Sequence, residues 1–104
     1  MVFAKSITKG SFIAKGNHYT LEERTRTLLG VHADRVLAAY GGIMDGTLHT
    51  DFSVETELDG TYDQLGDMII HWREDGWIDV LIYENFAAAE NTMEQLSDLH
   101  YGSV

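Results

Sequence analysis

The chain is 104 residues long, 44% apolar, and carries a net charge of −10 with neither cysteine nor proline. That is one domain's length and an ordinary apolar content, and the missing cysteine excludes disulfides, thiolate metal sites and thiol nucleophiles. No apolar run approaches the ~20 residues of a membrane-spanning helix, and the opening MVFAKSITKG lacks the apolar core of a signal peptide, so the expected setting is the cytoplasm of a cell or of a virus-infected host.

The first expected element is a hairpin. Gly10-Ser11 suits a two-residue turn between strands near 2–9 and 12–18, and Lys5, Lys9 and Lys15 suit edge strands guarded against pairing with other chains. A helix follows. Thr20 with Glu23 reads as a capping box, Leu21, Leu28, Leu29, His32, Val36, Leu37 and Tyr40 recur at helical spacing, and Gly41-Gly42 closes the run. Gly30 inside it costs about 1 kcal/mol relative to alanine, which suggests close packing at that point. Asp45-Gly46 offers a turn, and a strand is expected over 47–58. In that strand Phe52, Val54 and Leu58 alternate with His49, Asp51, Ser53, Glu55 and Glu57.

A second capping-box pattern, Thr61 with Gln64, opens an expected helix over 61–75 with Tyr62, Leu65, Met68, Ile69 and Trp72 on one face. WIDVLIY at 77–83 reads as an interior strand covered on both faces. Asn85 then caps a helix over 86–100 that turns Phe86, Ala89, Met93, Leu96 and His100 inward. The fold class expected from this order is a single α+β domain, residues 1–104. It would have an antiparallel or mixed sheet of about four to five strands and three packed helices. The middle of the chain equally fits a ferredoxin-like βαββαβ plan and in element order resembles the dimeric α+β barrels.

Catalytic motifs are sparse. On a helix, Asp67, His71 and Glu74 would share a face that suits a divalent metal or, more simply, a solvated polar surface. No G-x-S-x-G elbow is present, and GGIMDG lacks both the phosphate-loop lysine and dinucleotide-binding spacing. Tyr62, Trp72, Trp77 and Tyr83 are candidates to line a small-molecule pocket, with His49 or His71 as an acid–base group. No cofactor and no metal is expected.

The charge pattern is more telling. Residues 1–39 carry a net +3, whereas residues 40–104 carry −13, with Arg73 their only base. Direct nucleic-acid binding through that larger part would be repulsive, so a basic partner is the complement. Alternate strand residues lie about 6.7 Å apart along one face, which sets Asp51, Ser53, Glu55 and Glu57 in a row. Asp63 and Asp67, and Glu90, Glu94 and Asp98, recur four apart. Like charges at helical i, i+4 spacing cost about 0.2–0.5 kcal/mol each. Such rows match the spacing scale of a nucleic-acid backbone.

In size and charge the chain resembles small acidic phage proteins that inhibit CRISPR or restriction enzymes. The resemblance implies a non-catalytic, anti-CRISPR-like DNA mimic that inhibits a nucleic-acid-processing complex. The expected contact residues are Asp51, Glu55, Glu57, Asp59, Asp63, Asp67 and Glu74. The expected partner is a basic nucleic-acid-binding protein or complex, with no direct nucleic-acid or membrane contact and a homodimer left open. The alternative is a ferredoxin-like dimeric enzyme or small-molecule binder.

Overall fold

A computed structural model describes residues 2–16 and 18–101, the side chains of the last two excepted. Among these residues, seven strands and two helical regions form three layers. The strands are β1 (Phe3–Thr8), β2 (Phe12–Lys15), β3 (His18–Leu21), β4 (Phe52–Thr56), β5 (Gly60–Leu65), β6 (Met68–Trp72) and β7 (Trp77–Ile82). The first helical region is α1 (Glu23–Leu29) and α2 (Ala33–Asp45), joined by a 3-10 turn over Gly30–His32; the second is α3 (Phe86–Tyr101). The middle layer is a five-stranded antiparallel sheet in the order β1-β7-β6-β5-β4.

Residues opposite one another in an antiparallel sheet share a face, so the register sorts the side chains. Ile7 of β1, Ile78, Val80 and Ile82 of β7, and Met68 and Ile70 of β6 point to one side. There they pack with Leu29, Val36, Ala39 and Tyr40 of the first helical region and with Phe12 and Leu21 of the β2–β3 hairpin. Phe12 stacks on Tyr40 with ring centroids 3.7 Å apart, fixing the hairpin to α2. Val54, Ile69, Tyr62 and Leu81 point to the other side, where Ala89, Met93 and Leu96 of α3 cover them. Asn85 Oδ1 accepts the Ala88 N–H at 2.8 Å, so the expected cap of α3 is present. The expected His100 contact lies outside the described residues.

Several expectations are corrected. The segment 61–75 is no helix: β5 and β6 form a hairpin through Gly66, whose φ of +65° suits a turn. Both faces of this hairpin are covered, so apolar residues of both parities are present and mimic a helical stripe. Three expected helices therefore reduce to two helical regions. The expected Gly10-Ser11 hairpin is absent too. β1 pairs with β7, and a 3-10 turn at Lys9–Ser11, held by Lys9 N–H on Gly76 O at 3.3 Å, leads the chain out of the main sheet. The true reversal is β2 with β3, past Gly16 at φ +59°.

Thr20 lies in β3 and donates to Ile13 O, and the helix begins instead at Glu23 after an N-cap, Glu22, that makes no side-chain cap bond. Gly30 breaks the helix at φ +59°, ψ −129° and has nothing near its missing Cβ, so it serves backbone conformation and not close packing. The close approach is at Gly42, where a Cβ would lie 2.7 Å from that of Leu48. The helix runs through Gly41 and Gly42 to Asp45 and stops at the left-handed Gly46. β4 runs only from Phe52 to Thr56, so the expected strand over 47–58 shortens to five residues. β4 to β7 are consecutive neighbours without a helical crossover, which is not the ferredoxin-like βαββαβ plan.

Candidate functional site

β4 is an outer strand of the main sheet. Val54 is buried beneath α3, while Ser53 and Glu55 point to the opposite face and are exposed. Asp51, just before the strand, fixes its start: Oδ2 accepts the Gly66 N–H of the β5–β6 turn at 2.7 Å. At the other end the chain reverses through Glu57, Leu58 and Asp59, all exposed, with Leu58 at 85%. Thr56 Oγ1 holds that turn by donating to Gly60 O at 2.7 Å and accepting the Asp59 N–H at 3.0 Å. Gly60 completes the reversal at φ +91°.

A cross-strand row supports the same end. Ser6, Asp79, His71, Tyr62 and Val54 are in register from β1 to β4. Ser6 Oγ donates to Asp79 Oδ1 at 2.6 Å, and Asp79 Oδ2 lies 3.2 Å from His71 Nδ1. His71 Nε2 lies 2.5 Å from Asp59 O, and its ring stacks on Tyr62 with centroids 3.8 Å apart. Burial first, then the carboxylates of Asp59 and Asp79, pushes the Tyr62 phenol above its ordinary pKa. With both ring nitrogens of His71 engaged, the row braces the β4–β5 turn against the sheet. Ser6 and His71 each contact Asp79 rather than each other, so the group is not a nucleophile–base pair.

Arg73 belongs to the same neighbourhood and is occupied locally. Its guanidinium pairs with Asp75 at 2.5 Å and lies 3.5 Å from Asp79. Desolvation alone would lower the Arg73 pKa, but these two carboxylates outweigh it and raise the pKa above the usual value. Among the described residues, Glu57, Asp59 and Glu74 have no ion-pair partner. Leu58, Asp59, His71, Arg73, Glu74 and Asp75 line one shallow depression, so the β4–β5 and β6–β7 turns form a single acidic tip.

Five of the seven expected contact residues therefore lie along one edge and its tip: Asp51, Glu55, Glu57, Asp59 and Glu74. The other two do not. Asp63 is 8% exposed on β5 and accepts the Trp72 indole N–H at 2.8 Å. Asp67 pairs with Arg35 in the β5–β6 turn, at the opposite end of the sheet from Glu74. Helical spacing puts both on one exposed face, but residues 61–72 form β5 and β6 and that face does not exist. For the same reason the Asp67, His71 and Glu74 set is dispersed: β6 separates its outer members by about 20 Å, and no candidate metal cluster occurs among the described residues.

The expected aromatic pocket is not assembled either. Trp72 faces the α2 layer, Tyr62 and Tyr83 pack near α3, and Trp77 is 43% exposed at the far end of β7. A different hollow exists, an open cleft of about 620 Å³ between α2, the 47–51 segment and the β5–β6 turn. Arg35, Leu48, His49, Asp51 and Met68 are among its lining. No sequence pattern marked it, because Leu48 reaches α2 only through the missing side chain of Gly42. No family model, no curated protein and no solved structure matches this chain.

Proposed function

We propose that the protein is a non-catalytic, acidic inhibitor that occupies the basic nucleic-acid-binding surface of a partner protein or complex, acting in the cytoplasm of a cell or of a phage-infected host. One observation carries the reading: Asp51, Glu55, Glu57, Asp59 and Glu74 are exposed along one sheet edge and tip. Arg73 at the tip is already engaged with Asp75 and Asp79, and Arg35, which lines the cleft beside Asp51, pairs with Asp67. A surface of this sign attracts basic proteins over distances of a Debye length, about 10 Å at 0.1 M salt. It repels nucleic acid itself.

Affinity capture from host lysate, with the wild type and an Asp51→Lys, Glu55→Lys, Glu57→Lys variant as baits, tests the reading. A nucleic-acid-binding protein held by the wild type alone and released by added duplex DNA is the expected result. Identical captures by both baits would remove this edge from the interaction.

The cleft favours a second reading, a binder of small molecules, in keeping with the size range of ligand pockets. A library of small metabolites that raises the melting temperature through the cleft, and loses that effect with Leu48→Trp, would move this reading to first place.

A further inference from the structure

We propose that β4 is a docking edge for an extended segment of the partner whose residues alternate between basic and apolar, added to the sheet as a sixth strand. This rests on the reading above, that the acidic edge meets a basic protein, and adds how the two join. Among the described residues β4 pairs only with β5. Its outer backbone N–H and C=O groups therefore face no strand, and such an edge is a template for another chain. The other outer strand, β1, carries the exposed Lys5, a common guard against this pairing. Phe52–Thr56 contains neither lysine nor proline.

The side chains of β4 specify what the template accepts. Phe52, Val54 and Thr56 point to the α3 side, and Phe52 is 37% exposed there. Ser53 and Glu55 point to the opposite side, and Asp51 and Glu57 flank the strand at the same parity. A strand laid alongside therefore meets the exposed Phe52 at the margin of the α3 layer on one face and an acidic row on the other, which selects alternation of apolar with lysine or arginine residues.

Pairing with a second copy is disfavoured by the same rows. Antiparallel self-pairing centred on Val54 sets Asp51 opposite Glu57 twice. Centring it on Ser53 sets Asp51 opposite Glu55, and centring it on Glu55 opposes the two Glu55 side chains. Like charges directly opposite are destabilising in a sheet.

The test uses the full chain labelled with nitrogen-15 and, as probe, a synthetic eight-residue peptide alternating lysine with valine. Two analogues are N-methylated, one on all its lysine amides and one on all its valine amides. Alternate amides of a strand point to the same edge, so one analogue blocks the edge that would pair and the other leaves it open. Slowed amide exchange on alternate residues of Phe52–Thr56 is expected, with affinity lowered by more than about tenfold for one analogue only. Equal binding of both analogues, or no binding, overturns the added strand. The acidic reading is decided separately by the charge-reversed variant: peptide binding that this variant retains undiminished sinks that reading as well.

Discussion

Gly60 is the most tightly constrained single position in the site. At φ +91° an added Cβ would lie 1.9 Å from the Trp72 carbonyl oxygen, a backbone atom that cannot move aside without breaking β6. Gly60→Ala is expected to cost about 3 kcal/mol or more, combining left-handed strain with the clash. Gly41 is the opposite case: it sits inside α2 with nothing within 4 Å of a Cβ. Gly41→Ala should stabilise by about 0.5–1 kcal/mol through helix propensity. Urea denaturation of the two variants beside the wild type checks both signs. A run of glycines announces turns in a sequence, but which ones a backbone requires depends on φ and on neighbours that arrive from elsewhere. Gly30, Gly42 and Gly60 were not separable by spacing for that reason, whereas the Asn85 cap was legible because its partner is three residues away.

Two tyrosines give a residue-scale pH prediction. Burial, and secondarily Tyr19, holds the Tyr40 phenol above its ordinary value, and Tyr62 is raised by burial and by Asp59 and Asp79. Above pH ~10 the unfolded chain gives up these protons more readily than the fold does. Their contribution to stability is therefore complete below that pH and is lost as pH climbs through the raised values. The urea midpoint should fall as pH rises above about 10, and Tyr62→Phe should flatten part of that fall.

At the scale of elements, α3 is the layer that makes the acidic edge possible. It covers one face of β4 and β5, which leaves β4 free to expose the other face and its outer edge. Met93, wholly buried against Val54 and Ile69, is its anchor. Met93→Ala should cost about 2–5 kcal/mol, and thermal unfolding of the variant measures this. A smaller loss would mean that α3 adds little to the sheet. α3 was readable from its sequence because it has one buried face and one solvated face, although Phe86, expected inward at its first turn, is 45% exposed.

The β5–β6 hairpin was not readable, and the reason is also physical. Tyr62, Gln64, Ile69 and His71 pack on one side of it and Asp63, Leu65, Met68 and Ile70 on the other. A strand covered on both faces loses its alternation, and helical spacing then fits by coincidence. Asp63 shows the consequence for the site. On a helix it would be a surface acid, but on β5 it lies beneath the Trp72 indole. Trp72→Phe removes the donor and leaves that carboxylate buried, a loss expected near 2–3 kcal/mol.

For the whole molecule, the imbalance between residues 1–39 and 40–104 was legible at once, whereas of the row expected through Asp51, Glu55 and Glu57 only Glu55 lies within β4, with Asp51 and Glu57 at its two ends. What required the topology was the joining of that row to Glu74 across the tip, since the β6–β7 turn comes beside the β4–β5 turn only in a meander. Asp51 holds the Gly66 N–H of the β5–β6 turn, so reversing Asp51, Glu55 and Glu57 to lysine should lower the unfolding free energy by about 1–2 kcal/mol, most of it from Asp51, and leave the fold intact. The effect on association should be large and should depend steeply on salt.

The most direct test of acidic mimicry follows capture of the partner: sedimentation of the purified partner with a labelled DNA duplex and increasing amounts of this protein, over a range of salt concentrations. Mutually exclusive binding is expected, with the duplex displaced in proportion to the protein added and affinity falling as salt rises. A ternary complex that keeps the duplex bound, or an affinity indifferent to salt, would contradict it.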